Sequence, residues 1–118
     1  MKYSDEQRLE KICSTTQKLL AYLEQAGVTR EQVLDLEPVR WTITTPLYNL
    51  GEQAYQLSDA FKEAHADIPW SKISGLRHRL VHDYDNTNWG LICSIIFEVL
   101  PPFLESVHAI REQLKQND

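Results

Sequence analysis

Apolar residues recur along this chain at intervals of three and four, which is the spacing of one buried face of an α-helix. The first such run is preceded by Ser4 and Gln7, at the spacing of a capping box, and ends at Gly27, a common helix stop. Its apolar face consists of Leu9, Ile12, Thr16, Leu19, Leu20 and Leu23. Thr29 and Gln32 repeat the capping-box spacing. The pattern predicts a long amphipathic core helix followed by a short second helix.

The middle of the chain predicts a long helix that contains a proline. The short second helix should end before Pro38, because the residue before a proline avoids the α region. Helical periodicity then returns from Val39 to Phe61. Pro46 lies inside this run, so the helix is either kinked there or begins afresh after a threonine cap. Gly51 would allow another helix to approach closely.

The last third of the chain contains its most apolar helical pattern. That pattern is Trp89, Ile92, Ile95, Ile96, Val99 and Leu100, continued by Phe103, Val107, Ile110 and Leu114. Pro101 and Pro102 are expected to bend or end this helix. No segment alternates between apolar and polar residues as a strand would. The sequence therefore predicts an all-α fold, a four- to five-helix bundle that forms a single domain over residues 1–118.

Composition places the chain among ordinary globular proteins. It has 118 residues, of which 42% are hydrophobic and 25% charged, and a net charge of −5, which argues against a protein coated in basic residues for binding duplexes. No signal peptide is visible, and Glu98 and the proline pair interrupt the most apolar stretch, so we expect no membrane span. Cys13 and Cys93 are far apart, which suggests buried thiols in a reducing, cytoplasmic compartment.

Functional side chains are concentrated between residues 69 and 84. This stretch carries Lys72, Arg77, His78, Arg79 and His82 against the single acid Asp83. Arg77 falls within an apolar helical stripe, where an unpaired charge is costly, so it should pair with a carboxylate or face a polar cleft. Glu52 is a plausible carboxylate partner. Trp41, Trp70 and Trp89 are expected to be core or interface anchors, although Trp70 could stack an RNA base.

The pattern Arg77-x4-His82-x-Tyr84 suits metal-free cleavage of RNA. A histidine exchanges protons near neutral pH, and an arginine forks onto phosphate oxygens. One group would withdraw the proton of a 2′-hydroxyl, and the other would stabilise charge on phosphorus. On one straight helix Arg77 and His82 lie about 140° apart, so either the helix unwinds near Asp83 or two copies share a cleft.

Metal sites fit the same stretch poorly. His78 and His82 have the spacing of two zinc ligands, but the glutamate of the protease motif is replaced by Arg79. Asp83 and Asp85 begin like a calcium loop, but the glycine and the final glutamate that such a loop requires are missing. The sequence predicts no metal and no cofactor.

Taken together, these residues resemble a known family. The shared elements are Gly51-Glu52, Ile68-Pro69-Trp70, Gly75-Leu76-Arg77 and Leu80-Val81-His82-Asp83-Tyr84. In this order they resemble the HepT-like branch of the HEPN superfamily (higher eukaryotes and prokaryotes nucleotide-binding). The resemblance implies a helical homodimer with two Arg-x4-His motifs in a shared cleft. It also implies a metal-independent endoribonuclease toxin, with Arg77 and His82 as catalytic residues.

The resemblance further implies a partner and a control site. The partner would be a minimal nucleotidyltransferase antitoxin that adenylylates Tyr84. Lys72, Trp70, His78 and Arg79 would support RNA binding. The family usually has Asn directly after the arginine, where this chain has His78.

Two other interpretations remain open from the sequence. The domain could be a non-catalytic module that binds a nucleotide or a nucleotidyltransferase in the same cleft. It could also be a structural bundle in which Arg77 only pairs with Glu52, in which case Arg77→Ala should unfold the protein.

Overall fold

The part of the chain that the structure describes, residues 2–81 and 84–117, consists of helices joined by short turns and loops. In this computed structural model the helices are α1 (Asp5–Gln25), α2 (Arg30–Asp35), α3 (Glu37–Gln56), α4 (Asp59–Ala64), α5 (Trp70–Val81), α6 (Trp89–Ser94) and α7 (Leu100–Gln116). A 3₁₀ turn covers Tyr84–Asn86. No strand occurs within these ranges, and the predicted all-α bundle is confirmed.

Local sequence signals set the start of the first two helices. Ser4 and Gln7 form a complete capping box on α1, and Thr29 and Gln32 form one on α2. In each box a side-chain oxygen accepts a hydrogen bond from a backbone N–H that would otherwise lack a partner at the helix N-terminus. Gly27 follows α1 with φ of 63°, a left-handed conformation that favours glycine.

The predicted run from 39 to 61 is two helices. Pro46 lies within α3, which continues through it, so no new helix begins after the threonines. Instead, α3 ends at Gln56, and α4 starts after Ser58, whose hydroxyl accepts a hydrogen bond from the backbone N–H of Phe61. The same serine donates from its backbone N–H and its hydroxyl to the carboxylate of Asp5, at 2.9 and 2.6 Å. This contact ties the turn between α3 and α4 to the start of α1.

The core lies where α3 packs against α1 and α5, and α7 also packs against α1. Its largest fully buried side chains are Leu9, Ile12, Ile43, Leu47, Leu50, Ile73, Leu76, Ile92, Ile96, Leu100 and Phe103. Burying such side chains contributes about 1.5–3 kcal/mol each before the entropy cost of ordering them. The arrangement leaves one face of α3 and one face of α5 side by side at the surface.

The last helices form one continuous helical path from Trp89 to Gln116. A π-helical stretch, Ile95–Val99, connects α6 to α7, and the proline pair occupies the first turn of α7. The prolines therefore do not end the helix. By length and composition this path is apolar enough to cross a membrane, with a window of mean hydropathy 1.6, so the expectation of an interrupted run is corrected. The core helix of a soluble protein passes the same test, and Ile92, Ile96 and Leu100 are buried in this core.

Both cysteines are buried free thiols, as the sequence predicted. Cys13 lies in α1 and Cys93 in α6. Burial raises the pKa of Cys13 to about 11 and raises that of Cys93 as well. Because the thiolate is the reactive form, both thiols are expected to be inert in the folded protein.

Candidate active site

The candidate site forms at Gly51, where α3 and α5 approach closely. A Cβ atom at this position would lie 2.6 Å from the backbone nitrogen of Arg77 and 3.1 Å from the carbonyl oxygen of Ile73. The contact with Arg77 is shorter than real Cβ atoms make, so only glycine fits without movement of a helix. The close approach predicted for Gly51 is confirmed, and it brings the next residue, Glu52, beside Arg77.

Arg77 is held by two residues of α3. Its Nε donates a hydrogen bond to Oε2 of Glu52 at 2.8 Å, and its guanidinium carbon lies 4.2 Å from the centre of the Tyr55 ring. The Glu52 carboxylate also accepts a hydrogen bond from the side-chain amide of Gln56 at 3.2 Å. A charge pair combined with a cation–π contact fixes the plane of the guanidinium.

The ion pair is open to solvent on one side. The Arg77 and Glu52 side chains are 31% and 29% exposed. The hydrogen bond from Arg77 lowers the pKa of Glu52, and the same bond raises the pKa of Arg77. Glu52 bonds only Nε, and no other described residue accepts a hydrogen bond from the two Nη groups. The two Nη groups of the guanidinium can therefore bind a phosphate while Glu52 holds the Nε group.

The other basic residues of α5 do not share the side of Arg77. Lys72 and Arg79 are exposed, and on an α-helix they lie about 140° and 160° around the axis from Arg77 and nearly above one another. His78 is also exposed, about 100° around the axis from Arg77. The basic side chains of α5 are thus divided, with Arg77 facing α3 and the other cations facing outward.

Trp70 belongs to the core, which corrects its expected contact with RNA. Its indole N–H donates to the backbone carbonyl of His65 at 3.0 Å, and only 7% of the residue is exposed. Its ring packs against Phe61 and edge-on against Phe103, with centroids 6.0 and 5.9 Å apart. No face of the ring is open to an RNA base.

Two of the predicted functional side chains fall outside the described part of the chain. His82 lies between the described ranges, and for Tyr84 only the backbone turn is described. Their predicted roles therefore remain predictions. Just beyond them, the hydroxyl of Thr87 donates to the carbonyl of Arg79 at 2.6 Å, a contact that joins the end of α5 to the segment after the turn. Among the described residues, no group of His, Cys, Asp and Glu side chains has the arrangement of a metal site.

Tyr48 and Tyr55 are site residues that the sequence interpretation missed. Tyr55 covers one face of the Arg77 guanidinium, and both tyrosines act electrostatically on its pKa. A signal was present in the sequence, because Trp41, Tyr48 and Tyr55 are spaced by seven residues and so share one helix face.

Comparison with known proteins identifies the family. The family model described as Ribonuclease HepT-like matches residues 6–110, which is most of the chain. The chain belongs to the HepT-like ribonuclease family. The matched range includes α1 through most of α7 and all of the residues around Arg77. The resemblance expected from the sequence is thereby confirmed.

Individual relatives carry ribonuclease names. The HepT-like chain is 32% identical over 66 residues to a protein of Caldanaerobacter subterraneus subsp. tengcongensis provisionally named an RNase, an alignment that covers 56% of this chain and 59% of the relative. A protein of Methanocaldococcus jannaschii with a similar provisional name is 26% identical over 61% of this chain and 66% of its own length. The matches thus span about three fifths to two thirds of these two relatives.

A third relative aligns over nearly its whole length. A protein of Thermococcus cleftensis named a probable ribonuclease HepT is 21% identical over 95% of this chain and 100% of the relative. No solved structure is significantly similar to the chain.

Proposed function

We propose that this protein is a metal-independent endoribonuclease in which Arg77 binds the phosphate at the cleavage point. The observation that carries the proposal is the fixed guanidinium, whose Nε donates to Glu52 and whose one face lies on Tyr55, while neither Nη group donates to the carboxylate. Membership of the HepT-like ribonuclease family and the names of the relatives support RNA as the substrate.

The chemistry requires one phosphate ligand and one proton carrier. His82 takes the proton of a 2′-hydroxyl, and the 2′-oxygen attacks the adjacent phosphorus. A 2′-O–P bond forms, the P–O5′ bond breaks, and the 5′-oxygen receives the proton. Arg77 stabilises the negative charge that grows on the phosphate oxygens. The products are a 2′,3′-cyclic phosphate end and a 5′-hydroxyl end, and DNA is not cleaved because it lacks the nucleophile.

The proposal extends to a toxin–antitoxin pair. The chain would act as the toxin in the cytoplasm, and a minimal nucleotidyltransferase antitoxin would silence it by adenylylating Tyr84. AMP on Tyr84 would add bulk and negative charge two residues after His82, in competition with an RNA phosphate. The support for this step is the family and the position of the tyrosine in the sequence.

A homodimer is part of the same proposal. Arg77 and position 82 lie about 140° apart around a straight helix, so two copies would supply complementary groups to a shared cleft. A sedimentation experiment that finds only monomer at micromolar concentration would count against this arrangement.

The experiment is a denaturing gel of cellular RNA incubated with purified protein in EDTA, beside the His82→Ala variant. The expected result is fragments from the wild type only. Intact RNA in both lanes, from protein whose mass excludes AMP on Tyr84, would contradict ribonuclease activity and favour the non-catalytic binding module. Equal fragments from both proteins would contradict the role of His82.

A further inference from the structure

Three aromatic residues form a row along the outer face of α3. Trp41, Tyr48 and Tyr55 are seven residues apart, so their positions rotate by only about 20° per step around the helix. Trp41 is 59% exposed, Tyr55 is 54% exposed, and Tyr48 between them is half-buried. At 1.5 Å per residue this aromatic row is about 21 Å long. The row therefore presents aromatic surface to solvent along most of the length of α3.

The aromatic row runs past the candidate active site. At one end, Tyr55 lies under the guanidinium of Arg77 at 4.2 Å. At the other end, Arg40, next to Trp41, places its guanidinium carbon 5.1 Å from the ring centre of Trp89, the first residue of α6. The row therefore extends from Tyr55, beside Arg77, to Trp41, whose neighbour Arg40 contacts the first residue of α6.

The neighbouring positions do not suit a seam between two helices. A coiled-coil seam needs a second apolar row three or four residues from the first. Here those positions are Thr44 and Gly51 on one side, with exposed Thr45 and ion-paired Glu52 on the other. Gly51 is already packed against α5, and the hydroxyl of Thr44 donates to the carbonyl of Arg40 at 2.6 Å. No second apolar row therefore accompanies the three rings on α3.

Spaced rings beside a phosphate-binding cation suit single-stranded RNA. Every base has a flat face that stacks on an aromatic ring, and the backbone between stacked bases presents phosphates to cations. Duplex RNA keeps its bases stacked inside, so it cannot use such rings. We infer that Trp41, Tyr48 and Tyr55 form a stacking track that holds single-stranded RNA with one phosphate on Arg77. This inference rests on the proposed function, since it assigns the binding mode of the same substrate.

Trp41 gives the most informative variant, because it lies about 21 Å along α3 from Tyr55, the residue that contacts Arg77. The probe is a labelled single-stranded RNA of about 12 nucleotides, within the site sizes of such proteins. Binding is measured with His82→Ala protein, so that the RNA stays intact. We expect Trp41→Ala to raise the Kd about 5- to 100-fold and Trp41→Phe to restore most of the affinity. Tyr22→Leu is the matched control, because this exposed tyrosine lines the groove with Thr42 and Pro46 on the other flank of α3.

Three outcomes would overturn the inference. Trp41→Ala could bind the probe as tightly as its parent, or Tyr22→Leu could lose as much affinity as Trp41→Ala. Alternatively, Trp41→Ala could lower the sedimentation coefficient from dimer to monomer, which would assign the row to a second copy of the chain. Cleavage by the wild type is scored separately. If Trp41→Ala binds RNA more weakly but the wild type does not cleave RNA, the stacking track is supported and the ribonuclease activity is contradicted. If the wild type cleaves RNA but Trp41→Ala binds it as tightly as its parent, the ribonuclease activity is supported and the stacking track is contradicted.

Discussion

At the scale of single residues, phosphate binding by Arg77 depends on which of its nitrogen atoms donates to Glu52. A carboxylate next to a phosphate-binding arginine competes with the substrate if it accepts hydrogen bonds from the two Nη groups of the guanidinium. Here it bonds only Nε, so it orients Arg77 and offsets its charge without blocking the two Nη groups. Because the two side chains remain about 31% and 29% exposed, solvent screens their attraction, and the pair is a positioning contact more than a source of stability.

The pKa of Glu52 predicts a specific dependence of stability on pH. Arg77 lowers this pKa below the ordinary value of 4.5, so the unfolded chain binds more protons than the folded chain in this range. The contribution of the pair is therefore fully present above about pH 5 and is lost as pH falls through the lower folded pKa. We expect Glu52→Gln to reduce the fall in Tm between about pH 5 and pH 3, measured by thermal melts across that range. An identical pH dependence in the variant would contradict the pairing.

At this scale the sequence predicted which polar side chains pair better than it predicted which aromatic side chains are exposed. Glu52 was recognisable as a partner for Arg77 because a charge in an apolar stripe requires one. All three tryptophans were expected to be core or interface anchors, but the sequence did not show that Trp70 is buried in the core while Trp41 is 59% exposed. A ring on one helix does not reveal which neighbouring helix covers it, and α4 and α7, which carry Phe61 and Phe103, cover Trp70.

At the scale of helices, the sequence predicted features that depend on neighbouring residues, but it did not predict features that depend on packing against the rest of the fold. The capping boxes at Ser4 and Thr29 set helix starts that are decided within four residues. The serine cap that separates α3 from α4 was present in the sequence but was masked by an apolar period that continued to Phe61. Pro46 and the proline pair at 101 and 102 lie within continuous helices, because packing on the core offsets their cost.

Gly51 is the residue on which the pairing of α3 with α5 depends. Gly51→Ala places a methyl group 2.6 Å from the backbone nitrogen of Arg77, so the helices must separate, and the side chain cannot adjust to relieve the contact. We expect a loss of about 1–3 kcal/mol in the free energy of unfolding, measured by urea denaturation, since overpacking in a close contact costs this much. Gly75→Ala on α5 is the matched control, because its Cβ would meet nothing closer than 3.9 Å. Equal stability of the two variants would contradict the close approach.

At the scale of the whole molecule, the two thiols report on whether the bundle is closed. Both lie in the core, one in α1 and one in α6, and burial raises the pKa of each. We expect neither Cys13 nor Cys93 to react with a thiol reagent at pH 8 in the folded protein, and both to react in guanidinium. Rapid modification of the native protein would show that α1 or α6 opens readily.

The central claim is that Arg77 is the phosphate ligand of a ribonuclease, and it is tested most directly by comparing two arginines of one helix. The measurement is the single-turnover rate of RNA cleavage in EDTA for Arg77→Ala and Arg79→Ala. We expect Arg77→Ala to lose about 10²- to 10³-fold in rate while its circular dichroism stays native and its thermal midpoint falls by no more than about 4 °C. Arg79→Ala, on the opposite flank, should weaken RNA binding in a salt-dependent way and leave the rate at saturation near wild type. A folded Arg77→Ala variant that cleaves at the wild-type rate would contradict the account, and an unfolded one would make Arg77 a structural residue.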